Sequence, residues 1–337
     1  MQELKNTKFG EYDFKLPCSE AVWKRFVDYK KRINIKKKYE PSLYWKQRQE
    51  SFNVIYEEGF VYLNGLYKRN TRMEINIGNI LQKLKVRFEI FYRAFLRKIF
   101  SKQSKAPLPV LNTTDNYIKK RQETYHSKYQ NYVMSILGKN YDEKHEVVYA
   151  KHMDIINCLE NNLNHNEKNS FVEIGSGSGV LAYFLVKKLG FKKAYLIDLP
   201  IMTPICYFWL SSIAGENSIA LPGEKISSDV TYRLLNAGEF DLEEGSNDLA
   251  INVTSFQEMN HKLVKDYFKL IKKWLKPNGF FMCVNRWSKA TDFWLYPYLI
   301  FKNSKTILFD EDLTSRHSSM DKIIVRKLIQ LNDKYQN

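Results

Sequence analysis

The chain has 337 residues, with 53 Lys and Arg against 37 Asp and Glu, so its formal net charge is +16. A hydrophobic content of 44% excludes a disordered chain, and no uncharged apolar run reaches the roughly 18 residues that a membrane-spanning helix needs. The charged start and the four scattered cysteines predict a cytoplasmic protein with reduced thiols, without a secretory signal, a disulfide framework or a zinc site.

The excess positive charge is confined to one part of the chain. Residues 1–140 hold 29 Lys and Arg and 13 Asp and Glu, whereas residues 141–337 hold 24 of each. A neutral body with a basic front part suggests an anionic partner, which could be nucleic acid, an acidic membrane surface or a phosphate-bearing substrate. A solvated basic face without a dedicated partner is the alternative.

Residues 1–140 are predicted to form a basic helical region. Its first helices are interrupted at Pro17 and Pro41, and a proline-containing linker follows at about 101–114. A last helix is predicted from Asp115 to Leu137, because the acidic residue can cap its start and a glycine follows its end.

One segment of this region, at 77–102, has a strongly basic amphipathic pattern. On a helical wheel its aliphatic and aromatic residues fall on one face, and its Lys and Arg residues fall on the other. Such a helix can lie on an anionic membrane surface. It can also pack its apolar stripe on the rest of the chain.

Residues 141–337 have the pattern of an α/β domain. After a helix at about 143–163, short apolar runs alternate with helical stretches, which indicates parallel βαβ units. One strand comes from either 218–221 or 232–237, and a helix is expected over 261–279, ended by its Asn-Gly pair. The remaining predicted strands are FVEIG, AYLIDLP, DLAINV (248–253), GFFMCVN (279–285), KTILFD (305–310) and KIIVRKL (322–328). Together they predict a seven-stranded sheet whose last two strands are antiparallel.

The most informative stretch, FVEIGSGSG, joins a strand to a helix through a glycine loop. Glycines at such a turn let a ligand approach the backbone and the free N–H groups of the helix start. Asp198 closes the next strand, where a carboxylate can accept both hydroxyls of a ribose. The spacing lacks the G-x-G-x-x-G pattern of pyrophosphate sites, and Glu173 suits an ammonium group better than a phosphate. A nucleoside with an amino-acid tail and a sulfonium centre fits these features.

These residues resemble the first motif of class I S-adenosylmethionine-dependent methyltransferases, from about residue 143 onward. The resemblance implies a Rossmann-like methyltransferase fold with S-adenosylmethionine as cofactor. It places Leu199 beside the adenine and leaves the contact to the adenine amino group open among Glu224, Asp229 and Glu239. The cofactor-binding residues that it implies are Glu173, Gly175, Ser176, Gly177, Gly179, Asp198 and Leu199.

A narrower resemblance is to the sugar O-methyltransferases of bacterial surface-polysaccharide gene clusters. It is carried by LIDLPIM and CYFWL, by INVTSFQEMNHKLVKDYF with its S-F-Q-E-M string at 255–259, by FFMCVNRWSK, and by the terminal KIIVRKL. The resemblance implies methylation of a sugar hydroxyl.

The S-F-Q-E-M string follows a strand at the edge of the sheet where ligands bind in open α/β folds. Methyl transfer to a hydroxyl needs a base for the proton, and Glu258 and His261 are the candidates. Gln257, Asn285 and Arg286 are candidate substrate-binding residues at the same edge. Tyr125, His126 and Tyr129 could cover the site from the preceding helix. No metal-ligand spacing is present.

The preferred interpretation is O-methylation of a sugar on a nucleotide-linked or lipid-linked polysaccharide intermediate. The basic region would then contact the anionic carrier or the inner membrane face. An RNA methyltransferase is the first alternative, although no RNA-binding module is recognisable and TSFQEM replaces the Asp/Asn-Pro-Pro-aromatic string of many amino-group methyltransferases. A membrane-associated scaffold that keeps the fold without turnover is the second. The oligomeric state stays open.

Overall fold

The computed structural model describes residues 14–33, 39–41, 43–65, 123–163, 168–286, 301, 304–312 and 324–332. The predicted basic helix at 77–102, the linker at 101–114 and the predicted helix start at Asp115 lie outside these residues. Within them, no helix is both long and apolar enough to cross a membrane.

The described elements alternate strands and helices from residue 170 onward, as the sequence pattern predicts. The strands are β1 (Phe14–Pro17), β2 (Asn53–Glu57), β3 (Phe60–Asn64), β4 (Ser170–Ile174), β5 (Lys193–Asp198), β6 (Ile219–Ala220), β7 (Tyr232–Asn236), β8 (Asn247–Val253), β9 (Leu275–Arg286), β10 (Lys305–Asp312) and β11 (Ile324–Gln330). The α-helices are α1 (Glu20–Arg32), α2 (Leu43–Ser51), α3 (Gln130–Leu137), α4 (Glu146–Glu160), α5 (Val180–Phe184), α6 (Thr203–Ala214) and α7 (His261–Trp274).

A mostly parallel sheet of eight strands forms the centre, in the order β10-β11-β9-β8-β4-β5-β7-β6. The strands from β4 to β9 pair in parallel, and β11 is antiparallel to both β9 and β10. The α/β fold class and the antiparallel end are therefore confirmed. The count of seven is wrong, because both competing segments form strands, and Ile219 pairs in parallel with Tyr232.

The N-terminal region is not purely helical. β1, β3 and β2 form a separate antiparallel sheet, and β2 and β3 are joined by Glu58 and Gly59, whose φ angles are 50° and 79°. Two residues with positive φ make the tight turn whose twist matches a hairpin. The alternating NVIYEEGFVYLN pattern is the signal that the helical prediction overlooked.

The end of α7 also differs from its prediction. The helix stops at Trp274 rather than at the Asn278-Gly279 pair, because Leu275 already pairs with Asn247 of β8. A bulge then separates this first pair from the next one, between Phe280 and Leu249. The Asn-Gly pair therefore lies within the bulged start of β9.

The described N-terminal elements pack on the α/β part of the chain. Residues of β1, α1 and β3 belong to the same hydrophobic cluster as the central strands. The buried Tyr29 hydroxyl donates to Asn236 Oδ1 at 2.7 Å, at the end of β7. Arg25 donates to both carboxylate oxygens of Glu224, at 3.3 and 2.7 Å. These contacts fix the N-terminal elements against the side of the sheet that β5, β7 and β6 form.

Candidate functional site

The glycine loop after β4 has the backbone that its sequence predicts. Gly175, Gly177 and Gly179 have φ angles of 74°, 57° and 80°, in the left-handed region that favours glycine. A Cβ on Gly175 would lie 2.1 Å from Ser255 Oγ, and one on Gly179 would lie 2.9 Å from Cys206 Sγ. A Cβ on Gly177 would meet nothing within 4 Å. The loop is thus packed at both ends and open in the middle.

Asp198 lies beside this opening, at the end of β5. Its Oδ2 accepts a hydrogen bond from Gly177 N and its Oδ1 accepts one from Leu199 N, both at 2.7 Å. Burial nevertheless raises the pKa of Asp198 to about 7, and the charge of Glu258 adds to this increase. The carboxyl group therefore holds the loop in place and also faces the cavity described below.

Glu173 is buried in β4, with 2% of its surface exposed. Its Oε2 atom has no hydrogen-bond partner among the described residues. Burial raises the pKa of Glu173 well above its usual value, and the neighbouring charge of Asp198 raises it further. Glu173 is not among the residues that line the cavity, so it lies behind the loop rather than in the cavity wall.

A cavity of about 600 Å³ opens at the carboxyl ends of β4, β5 and β8. Its first wall holds Gly175, Gly177, Asp198, Leu199 and Ala237. Its second wall follows β8 and contains Thr254, Ser255, Glu258, Met259 and Asn260. Its third wall comes from the N-terminal region and contains Tyr39, Glu40, Pro41 and Trp45. Among the described lining residues the ionisable carboxylates are Glu40, Asp198 and Glu258, and there is no Lys or Arg.

The loop after β8 is held in a strained conformation. Thr254 has a φ of 62°, which is costly for a β-branched residue. Its backbone N–H donates to Val284 O at 2.7 Å, in β9. This hydrogen bond holds the strained loop against the end of the sheet, together with the side-chain hydrogen bonds of the next residues.

Two buried amides, Asn252 and Asn285, support this loop. Asn252 donates to Ile174 O at 2.7 Å and to Ser255 Oγ at 2.5 Å. Asn285 donates to Asn252 Oδ1 at 2.8 Å and accepts from Gln257 N at 3.3 Å. Asn285 is 1% exposed and Gln257 6% exposed, and neither lines the cavity. Asn285 ties the strand ends together, and the expectation that Gln257 and Asn285 bind substrate stays a prediction.

Glu258 lies at the end of a short turn of 3-10 helix, Phe256–Glu258, and faces the cavity. Its Oε2 accepts a hydrogen bond from Trp45 Nε1 at 3.0 Å. His261 begins α7 and Arg286 ends β9, but their side chains lie outside the described part of the structure. The structure places Glu258, one of the two candidate bases, in the cavity wall.

The other sequence candidates lie elsewhere. Glu224 pairs with Arg25, and Glu239 accepts from Asn236 Nδ2 at 2.8 Å; neither these two nor Asp229 lines the cavity. Tyr125, His126 and Tyr129 do not line it either. The two tyrosines are buried in the core, and His126 is 3.8 Å from Glu146. The described residues contain no group of three His, Cys, Asp or Glu side chains placed to hold a metal ion.

The contribution of the N-terminal region to the cavity was not predicted from the sequence. Tyr39 is buried, and its ring makes edge contacts with Phe240 and Tyr267, at centroid distances of 5.5 and 6.1 Å. Trp45 reaches across to Glu258. The only local signal was the group of aromatic residues around Pro41, which is equally typical of simple core packing.

No protein-family model matches the chain, and no curated protein matches it. Similar solved structures include an S-adenosylmethionine-dependent methyltransferase from Aquifex aeolicus, 15% identical, covering 58% of this chain and 97% of that chain with a TM-score of 0.40. Another such methyltransferase, from Methanosarcina mazei, is 15% identical, covering 52% of this chain and 97% of its own with a TM-score of 0.38. Geranyl diphosphate methyltransferase in complex with S-adenosylmethionine is 12% identical, with coverages of 58% and 94% and a TM-score of 0.40. Likenesses this weak assign neither cofactor nor activity to this chain.

Proposed function

We propose that the protein binds S-adenosylmethionine in this cavity and transfers its methyl group to a hydroxyl. The observation that carries the proposal is the arrangement of acids around the glycine loop. Asp198 faces the cavity at the end of β5, and Glu173 lies behind the loop with an unpartnered buried oxygen. Such an oxygen fits an ammonium group, and a carboxylate at Asp198 fits ribose hydroxyls.

The residues fit the cofactor as a set. Gly177 leaves the middle of the loop open to a ligand, and Leu199 and Ala237 provide apolar wall beside Asp198 for a flat base. Burial makes negative charge unfavourable at Glu173 and Asp198. A cationic ligand would compensate these charges, so binding of such a ligand is favoured. We therefore assign cofactor binding to Asp198, Leu199 and the backbone of the glycine loop, and the role of Glu173, which does not line the cavity, stays a prediction from the sequence.

When bound, S-adenosylmethionine supplies an electrophilic methyl group on a sulfonium sulfur. The acceptor oxygen forms the new bond to the methyl carbon while the carbon–sulfur bond breaks, and its electron pair stays on sulfur. The hydroxyl proton must leave as this bond forms, and Glu258 is placed in the cavity wall to take it. His261, next to this loop in the chain, is the alternative base.

The lining favours a neutral acceptor group over a phosphate. Glu40 and Glu258 line the cavity together with Asp198, and no described lining residue is basic. A phosphate beside the reacting atom would be repelled by these carboxylates, whereas sugar hydroxyls can donate to them. The ring of Trp45 offers a flat face for the C–H groups of a sugar. We therefore propose a sugar hydroxyl as acceptor, in agreement with the S-F-Q-E-M resemblance, on a polysaccharide intermediate.

The reacting sugar hydroxyl and its carrier would bind to different parts of the protein. The basic N-terminal region would contact the phosphates of a nucleotide or lipid carrier, or an anionic membrane surface, outside the cavity. RNA as acceptor is disfavoured, because its phosphates flank every ribose hydroxyl and would have to enter an acidic cavity.

Calorimetric binding of S-adenosylmethionine to the wild type and to Asp198→Ala tests the cofactor. We expect saturable binding by the wild type and its loss in the variant, with a cooperative unfolding transition of the variant as the control for folding. Absence of binding by folded wild type would refute the methyltransferase proposal.

Transfer of radiolabelled methyl to methyl glycosides and nucleotide-linked sugars then tests the acceptor. Glu258→Gln is expected to bind the cofactor but to transfer methyl at least about 100-fold more slowly. Methylation of RNA with no glycoside accepted would refute the sugar assignment.

A further inference from the structure

Trp45 joins the N-terminal region to the candidate base. It lies in α2, lines the cavity, and donates its indole N–H to Glu258 Oε2 at 3.0 Å. The two residues are 213 positions apart in the chain. A hydrogen bond to a carboxylate is stronger than one between neutral groups and fixes the carboxylate in one orientation.

The chain just before α2 is anchored beside the same cavity, through Tyr39. The ring of Tyr39 packs between Phe240 and Tyr267. It also fills the space that a Cβ on Gly238 would need, since that atom would lie 2.4 Å from Tyr39 Cδ2. Pro41 then restricts the backbone between this anchor and the helix that carries Trp45.

A second set of contacts lies upstream, in α1. Tyr29 binds the end of β7 through Asn236, and Arg25 binds Glu224 in the loop after β6. α1 and the Tyr39 segment are therefore both attached to the sheet on the side of β7. The position of Trp45 relative to the sheet is set by these attachments as well as by its own helix.

The loop that carries Glu258 is fixed from within the sheet edge and is also contacted by Trp45. Its backbone begins with the strained Thr254, and its buried amide network holds Gln257 N, one residue before Glu258. That network fixes the backbone, and the Trp45 indole N–H binds the carboxylate itself. Displacements of about 1 Å in a catalytic group can cost about 100-fold in rate, so a donor that holds the carboxylate matters for turnover.

We propose that Trp45 is a positioning residue, whose indole N–H orients the Glu258 carboxylate toward the acceptor hydroxyl. The inference rests on the proposed function, because it assigns the N-terminal region a part in the same reaction. It also explains why a segment far from the cofactor motif forms a wall of the cavity. The basic region then serves the reaction through a neutral aromatic residue rather than through its charges.

A double-mutant cycle tests this role. Trp45→Phe keeps an aromatic ring and removes the donor, and Trp23→Phe is the matched control, because Trp23 stacks on Tyr56 and Phe208 and does not line the cavity. Single-turnover rates are measured with the glycoside that the wild type methylates fastest. We expect Trp45→Phe to lower the rate about 10-fold or more, with less than a twofold change in cofactor Kd, and Trp23→Phe to leave the rate unchanged.

The decisive comparison is made in the Glu258→Gln background. A residue that acts through Glu258 has little left to lose there, so Trp45→Phe is expected to change the rate less than twofold. Equal losses in both backgrounds would overturn the proposal while leaving methyl transfer intact. Failure of the wild type to bind S-adenosylmethionine would instead refute the proposed function itself.

An acceptor-free measurement keeps the test independent of the sugar. In protein labelled with 15N-tryptophan, the indole resonance of Trp45 is assigned from its loss in Trp45→Phe. We expect Glu258→Gln to shift this resonance and to leave that of Trp23 in place. An unmoved Trp45 resonance would show that the hydrogen bond does not form in solution and would overturn the proposal.

Discussion

Gly175→Ala probes the contact between the glycine loop and the loop after β8. The new Cβ would lie 2.1 Å from Ser255 Oγ and 2.2 Å from Ser255 Cβ, about 1.3 Å closer to Oγ than the 3.4 Å at which ordinary contact begins. The φ of 74° adds the left-handed strain of about 1–2 kcal/mol for a residue with a Cβ.

The clash also breaks hydrogen bonds. Ser255 Oγ donates to Ile174 O at 3.0 Å and accepts from Asn252 Nδ2. If the loop moves away, these buried groups lose partners, which costs about 1–3 kcal/mol. Together with the strain, we expect Gly175→Ala to lower the free energy of unfolding by about 2–5 kcal/mol.

Gly177→Ala is the matched control, because it adds the same atom to the same loop. Its φ is 57°, and its Cβ would meet nothing within 4 Å. Only the strain of about 1–2 kcal/mol should appear in its unfolding free energy, measured by urea denaturation. Ser255→Gly removes both clashing atoms and should recover part of the loss caused by Gly175→Ala. Equal destabilisation by the two alanines, or no recovery by Ser255→Gly, would refute the reasoning.

Two further variants test the strain and the charge of the site. Thr254→Gly should raise the free energy of unfolding by about 1 kcal/mol, because glycine adopts a φ of 62° without the cost of a Cβ. Asn278→Gly, at a φ of 61°, should raise it less, since asparagine tolerates this region. An equal increase in the two variants would contradict the assigned strain at Thr254. Burial raises the pKa of Asp198 to about 7 from an ordinary value of 3.8, so between these values the folded protein without ligand holds a proton that the unfolded chain has released. The contribution of Asp198 to stability is therefore present below pH 4 and lost as the pH rises to 7. Asp198→Asn should flatten this part of the dependence in urea titrations, and an unchanged slope would count against the raised pKa.

The cofactor end of the site was predictable because its signal is local. The three glycines occupy backbone positions with positive φ, and the strand and helix around them follow from periodicity. Asp198 ends β5 as predicted, because parallel strands bring their carboxyl ends to one edge. The strand count was one short because 218–221 and 232–237 were treated as alternatives, whereas both form strands, β6 with only two residues.

The acceptor end was harder to predict, because the same residue types serve structure and chemistry. Asn285 stands at a strand end, where its amide could face a ligand or its neighbours. In the structure its amide bonds both Asn252 and Gln257 N within the sheet edge. Glu258, four positions after Thr254, instead projects from the loop that this network supports. The bonding of Asn285 within the sheet edge and the position of Glu258 in the cavity wall depend on how β8 and β9 align in three dimensions, which the sequence does not show.

The contacts that the described part of the N-terminal region makes were not evident from the charge of the region. The net charge of +16 arises from residues 1–140 and suggested an anionic partner. Among the described residues, aromatic side chains such as Tyr29, Tyr39 and Trp45 attach the region to the rest of the chain, and Arg25 adds a charged contact. Aromatic side chains lose little conformational entropy when they are buried, whereas lysines keep their charges in water. One segment can therefore build a wall of an acidic cavity and still present a basic surface, so the proposed neutral acceptor group and anionic carrier are compatible with each other.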